Sequence, residues 1–600
     1  MNIPIKRYWR LLTRYLGPQC LSVILLAVVL FGSIGLQLLN PQIARRFIDA
    51  AQGGAPQETL VRVALLFLGV ALLQQTVSVS LTYLGGNVGW KATNELRADL
   101  ADHCLRLDMS FHNTHTPGEM IERVDGDVNA LSNFFSLLAL RLLGNGLLLV
   151  GVLLLLYREN WRIGVAFTLF AAVALVVRWR VSTIAVPAWR AERAANADQF
   201  GFIQERLDGT EDIRASGAQG YVLRCFYVLL RDLRAKYLKV RLMVNIAVNT
   251  TDLLFAVANL MAFALGAYLY QAGSITIGTV FLISWYGNTL MGPIRYINAQ
   301  VQDLQQATAS IVRIQELFAV QSKIEDMAVI RSDELPQTVS PQRALAVAFQ
   351  NVTFGYAGQQ TKDLIEQDAV LRSLSFHLHP GEVLGLLGRT GSGKTTLTRL
   401  LFRLYDPDKG AVCLDSDDTL TDIRQLPLGV LRQRVALVTQ DIQLFHASVR
   451  DNLTFFDHTI PDDTIVKVIR DLGLGAWFDA LSEGLDTELV SGGRLSAGEA
   501  QLLAFTRIFL QDPALVILDE ASSRLDPVTE RLIEHAVDRL LQGRTAIVVA
   551  HRLATVQRVD QIMILEGGQI REYGPRVALA SDPASHYSNL LRTGLAEVLA

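Results

Sequence analysis

The sequence has few of the residues that build disulfides, metal clusters or nucleic-acid surfaces. Its 600 residues include four cysteines, and none of them stands in C-x-x-C spacing. They are expected to be single packed thiols in a reducing compartment. His103, Cys104, His112 and His115 lie close in sequence but match no standard zinc spacing. The formal net charge is −3 and no basic tract occurs, so no nucleic-acid partner is predicted.

Long hydrophobic runs are abundant, and they are concentrated in the first half of the chain. Half of all residues are hydrophobic, and the length exceeds what one core usually holds, so two or more domains are expected. Six apolar stretches are long enough to cross a bilayer. They lie near residues 20–39, 60–84, 136–157, 162–183, 246–270 and 275–294.

The connections between these stretches alternate in length. Short polar turns follow the third and fifth stretches, whereas long charged connections of helical character follow the second and fourth. This alternation predicts a polytopic α-helical membrane domain of six spans, with long helical extensions on a single side. An even number of spans places both chain ends on the same side, and basic residues before the first span favour a cytoplasmic start.

Polar residues inside the predicted spans are candidates for a cavity. Counted inward from the short turns, Arg141, Asp252 and Arg295 lie at similar depth, about 24–30 Å at 1.5 Å per residue. Asn249 and Asn259 share a helical face with Asp252. Charges facing lipid are costly, so these side chains are expected to face the bundle interior or an aqueous cavity. An interhelical network and a cargo-contacting wall both fit, and the two can coexist.

A polar segment with two prolines separates two different patterns. Residues 1–320 form the predicted membrane domain, 321–343 the linker, and 344–600 a second domain. From Leu345 onward, short strands and helices alternate, which predicts an α/β domain.

The α/β domain contains a phosphate-binding loop. An apolar strand precedes the loop and an amphipathic segment follows it, which is the required context. Lys394 is predicted to reach the β- and γ-phosphates, and the Thr395 hydroxyl to ligate Mg²⁺. The loop residues are Gly388, Arg389, Thr390, Gly391, Ser392, Gly393, Lys394, Thr395 and Thr396.

A second apolar strand, residues 515–520, ends in two acids. Side chains alternate along a strand, so Asp519 and Glu520 point to opposite sides. We assign Asp519 to the Mg²⁺ shell and Glu520 to the general base that activates water.

With these motifs in order, the chain resembles an ABC half-transporter of the exporter type over nearly its whole length. The resemblance implies that Tyr356 stacks on adenine and that Gln440 touches Mg²⁺. It also implies that Asp526 is the aspartate-loop residue and His551 the switch histidine. Five residues match the signature motif that contacts a partner's ATP: Leu495, Ser496, Ala497, Gly498 and Glu499.

The resemblance implies a dimer that clamps ATP and Mg²⁺ between a phosphate loop of one subunit and the signature of the other. Glu499 replaces the family's usual glutamine and Ala497 replaces a glycine, while Glu520 is intact. This combination favours a heterodimer with a second half-transporter over a homodimer.

The expected function is ATP hydrolysis that drives export of small amphipathic molecules, lipids or peptides. The resemblance places the protein in the plasma membrane (the bacterial inner membrane), with the ATP domain and both termini cytoplasmic. A siderophore-type importer on the same fold and a non-transporting ABC regulator are the alternatives. The intact Lys394, Asp519, Glu520 and His551 argue against the regulator.

Overall fold

The chain divides into two compact units. A computed structural model describes residues 11, 13–133, 139–324, 344–356, 369–416, 419–439, 442–489, 495–519, 527–550 and 556–592; the side chains of 133, 139–142, 297–306, 416, 419, 497, 527 and 528 lie outside this description. The membrane unit comprises 1–105 and 117–320, and the α/β unit comprises 106–116 and 321–600.

Helices build the first half of the chain as far as residue 319. Their bounds are α1 Cys20–Gln52, α2 Gln57–Arg106, α3 Met109–Thr114, α4 Pro117–Ile121, α5 Asp127–Asn133, α6 Ala139–Glu159, α7 Trp161–Asp208, α8 Thr210–Ala215, α9 Gln219–Gln271 and α10 Ile277–Ala319. The short helix α3 belongs to the α/β unit.

Four helical stretches among the described residues are long and apolar enough to cross a membrane. They are Thr13–Gln52, Gln57–Arg106, Trp161–Asp208 and Gln219–Gln271. Along α2, Leu65, Leu68 and Leu72 are 62%, 54% and 62% exposed. A contiguous apolar face of this kind is expected where lipid is the solvent. The third and sixth predicted spans coincide with α6 and α10, and their crossing stays a prediction.

Three helices are much longer than a bilayer is thick. Helices α2, α7 and α9 have 50, 48 and 53 residues, which gives lengths of about 72–80 Å at 1.5 Å per residue. The hydrocarbon core is only about 30 Å thick. The predicted long extensions beyond the spans are therefore confirmed.

The helices of the membrane unit pack around one apolar core. It combines Ile34 of α1 with side chains of α6, α7, α9 and α10. Phe167, Leu282 and Tyr286 are fully buried in it. The Tyr286 hydroxyl donates to the carbonyl oxygen of Leu38 over 2.8 Å, which ties α10 to α1.

Polar contacts hold the short-turn end of this bundle together. Helix α1 continues past Pro41 to Gln52, so Arg45 and Arg46 lie in its last turns. Arg45 Nη1 lies 2.6 Å from Glu159 Oε2 at the end of α6. Asp49 Oδ1 accepts the backbone N–H of Gly278 over 2.9 Å at the start of α10. The ends of α1 and α6 and the start of α10 therefore meet at one end of the bundle.

The α/β unit contains twelve strands among its described residues. They are β1 Val347–Phe354, β2 Leu371–Leu378, β3 Val383–Leu387, β4 Lys409–Ser416, β5 Thr419–Asp422, β6 Val435–Val438, β7 Ala447–Ser448, β8 Glu488–Leu489, β9 Leu515–Asp519, β10 Thr545–Val549, β11 Gln561–Glu566 and β12 Gln569–Pro575. Its helices after α3 are α11 Lys394–Leu401, α12 Leu428–Arg434, α13 Val449–Thr454, α14 Asp462–Asp471, α15 Gly475–Asp479, α16 Ala497–Gln511, α17 Pro527–Leu541, α18 Arg576–Ser581 and α19 His586–Arg592.

A six-stranded sheet organises this unit, in the order β12-β11-β3-β10-β9-β6. Strands β11, β3, β10, β9 and β6 are parallel, and β12 is antiparallel. Alternate residues of β10 enter two cores: Ala546 and Val548 pack toward α14, α16 and α17, whereas Ile547 and Val549 pack toward α11 and a second sheet, β2-β1-β4-β5. Continuous apolar strands are expected where both faces of a parallel sheet are covered. The predicted α/β class is confirmed.

Candidate nucleotide site

The predicted phosphate loop lies between a buried strand and a helix. All five residues of β3 are buried, and α11 begins at Lys394, directly after the loop. Because β3 is an inner strand of the parallel sheet, its carboxyl end opens at the edge where ligands bind in such folds. The strand–loop–helix order expected from the sequence is therefore present.

Two glycines of the loop are required by the geometry. Gly388 has φ 148°, and a Cβ there would lie 2.3 Å from the carbonyl oxygen of Leu565. Gly393 has φ 105°, and a Cβ there would lie 2.6 Å from the Leu371 side chain. Only glycine adopts these conformations without strain and leaves the space that backbone needs to approach a ligand closely.

Lys394 and Ser392 lie inside the loop. The Lys394 side chain is 7% exposed, and its ammonium donates to the carbonyl oxygens of Gly388 and, over 3.1 Å, Arg389. The Ser392 hydroxyl is buried and has no hydrogen-bond partner among the described residues. A buried hydroxyl without a partner and a buried ammonium at a helix start fit a phosphate group, which would accept hydrogen bonds from both.

Asp519 lies at the same edge of the sheet as the loop. Strand β10 runs between β3 and β9, and Val549 pairs with Leu386 on one side and with Asp519 on the other. The Asp519 carboxylate therefore stands two strands from the start of the phosphate loop. Strand β6 ends at the same edge, since Val438 pairs with Leu518.

Four predicted residues lie outside the described part of the chain. Gln440 comes two residues after β6, Glu520 directly after β9, and His551 two residues after β10. Asp526 directly precedes α17. Their assigned roles stay predictions.

Tyr356 packs beside the helix that carries the loop. Its hydroxyl shares a 3.1 Å hydrogen bond with the Thr396 hydroxyl, and its ring meets the Tyr405 ring edge-on at 5.3 Å. The Tyr405 hydroxyl accepts a 2.6 Å hydrogen bond from Asn113 Nδ2 of α3, and burial raises the pKa of Tyr405. The Tyr356 side chain is thus hydrogen-bonded to Thr396 of the loop, and its contact with Tyr405 connects it to the segment 106–116 of this unit.

The residues at this edge fit a magnesium ion bound with a triphosphate. Thr395, on the first turn of α11, is exposed, and Asp519 offers a carboxylate from the end of β9, two strands away in the sheet. Hydroxyl and carboxylate oxygens are the ligands that Mg²⁺ prefers. Thr395 and Asp519 would hold the ion, which when bound would neutralise charge on the phosphates.

The predicted signature forms the start of α16. The Ser496 hydroxyl accepts the backbone N–H of Glu499 over 3.2 Å, and Glu499 Oε2 accepts the backbone N–H of Ser496 over 2.8 Å. This pair is a capping box, a feature that either glutamate or glutamine at the fourth position can complete. The S-x-x-E spacing of Ser496 and Glu499 is the sequence signal for this cap, so Glu499 has a local structural role in addition to being a departure from the family pattern. Leu495 is half-buried and Gly498 buried, and the side chain of Ala497 lies outside the description.

The candidate cavity residues separate into two groups. Asp252 and Arg295 line one cavity of the membrane unit, together with Arg178, which was not among the predicted residues although it lies at comparable depth on α7. Asn259 instead bonds across to α10, donating to Asn288 Oδ1 over 2.8 Å and accepting from Ser284 over 3.2 Å. Asn249 is exposed and is not part of that lining, and the side chain of Arg141 lies outside the description.

Comparison with known proteins gives two family matches and many relatives. The family model described as ABC transporter transmembrane region matches residues 23–294, and the one described as ABC transporter matches residues 371–523. An ATP-dependent lipid A-core flippase of Ralstonia nicotianae is 28% identical, covering 95% of this chain and 93% of its own length. A probable multidrug resistance ABC transporter ATP-binding/permease protein of Bacillus subtilis, YheH, is 29% identical, covering 82% of this chain and 71% of its own length.

A solved structure shares the fold. The structure of a bacterial Atm1-family ABC exporter with ATP bound superposes with a TM-score of 0.75 and 22% identity, covering 95% of this chain and 98% of that one. The two family matches cover more than two-thirds of the chain, in the order in which the two units were found. The chain therefore belongs to the ABC transporters, as an exporter-type half-transporter in which an ATP-hydrolysing domain follows a multi-pass membrane domain.

Proposed function

We propose that this protein exports small amphipathic molecules, lipids or peptides across the plasma membrane, as one half of a dimer. The fusion of a matched transmembrane region to a matched ATPase domain, with a phosphate loop between a buried strand and a helix, carries the proposal. Relatives described as a lipid A-core flippase and a multidrug transporter support an amphipathic cargo.

The proposed reaction is hydrolysis of ATP to ADP and phosphate. Lys394 and the N–H groups of the loop bind the β- and γ-phosphates, and Tyr356 stacks on the adenine. Glu520 takes a proton from the water that attacks the γ-phosphorus, and the bond to the bridging oxygen of ADP breaks. As the resemblance implies, His551 is the switch histidine, Gln440 touches Mg²⁺ and Asp526 is the aspartate-loop residue.

The proposed dimer places Ser496 of one subunit against the γ-phosphate bound by the other. Closing of this sandwich around ATP supplies the work that turns the membrane units from inward- to outward-facing. This arrangement requires the ATP domain and both chain ends to be cytoplasmic, which the basic N-terminal residues support.

Substitution of the proposed general base tests the reaction. Glu520→Gln is expected to retain ATP binding while hydrolysis falls by orders of magnitude, because the amide accepts no proton from water. ATP binding and phosphate release are measured on the purified protein in lipid nanodiscs, with Glu483→Gln as the control, since Glu483 is an exposed acid of the same unit. Undiminished turnover in Glu520→Gln would refute the assignment.

We further infer that the dimer is a heterodimer. Glu520 is intact while the signature carries Glu499, and in two-gene exporters the subunit that keeps its base often carries the altered signature. Glu499 completes the capping box, as the family's usual glutamine can. The two residues therefore differ mainly in the negative charge of Glu499. The chain expressed alone is expected to show low ATPase activity, and full, cargo-stimulated turnover by a purified homodimer would exclude the heterodimer.

A further inference from the structure

A cavity in the membrane unit is enriched in positive charge. It has a volume of about 240 Å³ and lies between α7, α9 and α10. Its charged lining residues, among those described, are Arg178 of α7, Arg295 of α10 and Asp252 of α9. Ser182 and Thr251 add hydroxyl groups, and the remaining lining is mostly apolar.

Arg178 is held in place but is not saturated. Its Nη1 donates to the carbonyl oxygen of Ala247 over 3.0 Å and to the Thr251 hydroxyl over 2.9 Å. Its Nε is buried and has no hydrogen-bond partner among the described residues. Because a buried donor without an acceptor is unfavourable, this guanidinium group is suited to a ligand that supplies one.

Arg295 adds a second positive charge to the lining of this cavity. The Arg178 and Arg295 guanidinium groups line the same cavity, and like charges repel. Within the described part of the chain, neither arginine forms an ion pair, and Asp252 forms none either. Two arginines and one aspartate leave these lining residues with an excess of one positive charge.

The three charges lie at one level of the bundle. Arg178 is 17 residues from the start of α7, Asp252 is 19 residues from the end of α9, and Arg295 is 18 residues from the start of α10. At 1.5 Å per residue these separations are about 26–29 Å. A hydrocarbon core of about 30 Å that begins at the short turns would therefore end near this level. Phosphate groups of lipids lie at that boundary.

We propose that this cavity binds the anionic group, a phosphate or a carboxylate, of an amphipathic cargo. The inference rests on the proposed transport function and names the chemistry of its cargo. The planar guanidinium groups pair with two oxygens of such a group, and the apolar lining receives the adjoining chain. Asp252 lowers the affinity for a purely anionic group, because its charge has the same sign as the ligand.

The test measures binding without nucleotide, so that it does not depend on ATP hydrolysis. The purified full-length protein in phosphatidylcholine nanodiscs is titrated with phosphatidic acid, and bound lipid is counted by native mass spectrometry. Arg295→Gln and Arg178→Gln are expected to bind phosphatidic acid about tenfold more weakly, as the loss of a charge-assisted hydrogen bond predicts. Asp252→Asn is expected to bind it several-fold more tightly, which a structural role for these residues would not produce.

Matched variants separate recognition from damage to the fold. Arg180→Gln lies on the same helix two residues away, outside the cavity lining, and is expected to bind like the wild type. Arg178→Lys keeps the charge and is expected to bind with intermediate affinity. If Arg178→Gln does not fold because the hydrogen bonds to Ala247 and Thr251 are lost, the Arg295→Gln protein alone decides the test, since Arg295 forms no hydrogen bond with the described residues.

The source of the anionic group is decided by competition. Inorganic phosphate that displaces phosphatidic acid at millimolar concentration would support recognition of the phosphate itself, and displacement only by other anionic lipids would support a lipid headgroup. Equal binding of phosphatidic acid by the wild type and by the arginine variants would overturn the site. Such a result would leave the Glu520→Gln test of the proposed function unaffected.

Discussion

Two helix N-termini of the α/β unit are built in opposite ways. Helix α11 begins after Gly393 in the left-handed region, and no side chain caps it. Helix α16 is capped by its own residues, since Ser496 and Glu499 satisfy each other's backbone N–H groups. The difference indicates that the N-terminus of α11 offers its backbone N–H groups to an anion, whereas the N-terminus of α16 offers chiefly the Ser496 O–H. The accepting lone pair of Ser496 is engaged, so its proton can point outward.

The largest effect is expected from a substitution in the glycine loop that leads into the N-terminus of α11. Gly388→Ala would place a Cβ 2.3 Å from the Leu565 carbonyl oxygen, so the loop must shift. ATP affinity is expected to fall by more than about tenfold, because the loop N–H groups no longer converge. Equilibrium binding of a fluorescent ATP analogue measures it.

Gly429→Ala is the control for that substitution. Gly429 lies in α12, and no neighbouring atom stands within 4 Å of the position that a Cβ would take there. Alanine at this position is therefore expected to be neutral or slightly stabilising. ATP binding by Gly388→Ala that matches the Gly429→Ala protein would contradict the geometry assigned to the loop.

A smaller effect is expected from substitutions at the N-terminus of α16. Glu499→Gln keeps both capping hydrogen bonds and removes a charge, so ATPase activity of the chain alone is expected to rise several-fold. Glu499→Ala removes the reciprocal bond as well, and is expected to lower stability by about 1 kcal/mol. Steady-state ATPase assays and melting curves separate the two effects. A Glu499→Ala protein that melts like Glu499→Gln would show that the reciprocal bond contributes nothing, and ATPase activity that stays at the wild-type level in both would show that the charge contributes nothing.

A substitution at Tyr405 tests the contacts beside the N-terminus of α11. Tyr405→Phe keeps the edge-on contact with Tyr356 but removes the acceptor of the Asn113 hydrogen bond. KM for ATP is expected to rise about two- to threefold with kcat nearly unchanged, since one neutral hydrogen bond is lost. Tyr573→Phe, which removes a hydroxyl bonded to the His377 carbonyl oxygen, is the control. A fall in kcat at constant KM would argue against a positioning role.

The smallest effect is expected at a third N-terminus, that of α3, which Asp108 caps. Burial alone would raise the pKa of Asp108, but hydrogen bonds from the backbone N–H groups of Lys323, Phe111 and Ser110 and from the Ser110 hydroxyl together lower it. A lowered pKa means that the carboxylate stabilises the fold above its ordinary pKa of 3.8 and that this contribution is lost as pH falls through the lowered value. Asp108→Asn is therefore expected to lower the melting temperature near neutral pH and to have less effect in acid. If the difference in melting temperature between Asp108→Asn and the wild type grew in acid, the stabilisation by the Asp108 carboxylate and its lowered pKa would be refuted.

The phosphate loop was predictable from sequence because its chemistry is local. Glycines at fixed offsets, a preceding apolar run and Lys394 lie within about a dozen residues of one another, and the structure places them as expected. The strand ending at Asp519 was predictable for the same reason. The pairing of Asp519 with Val549, and so its place beside the loop, depends on strand order, which no local pattern specifies.

The cavity was only partly predictable. Depth counted from the turns brought Asp252 and Arg295 to one level, and they do line one cavity. The same count on α7 would have added Arg178. Which of the polar residues on α9 turn toward α10 depends on side-chain packing between helices, so the Asn259–Asn288 bond could not be read from spacing.

The register of the central sheet has a consequence for how this enzyme can vary. Leu386, Val549 and Asp519 stand in one row across three strands. A slip of β9 by a single residue would carry its acidic end about 3.3 Å along the strand and exchange its inward and outward faces. Insertions are therefore expected to be tolerated better in the surrounding loops than within these strands, because strand pairing sets the register of Asp519 relative to the strand that precedes the glycine turn.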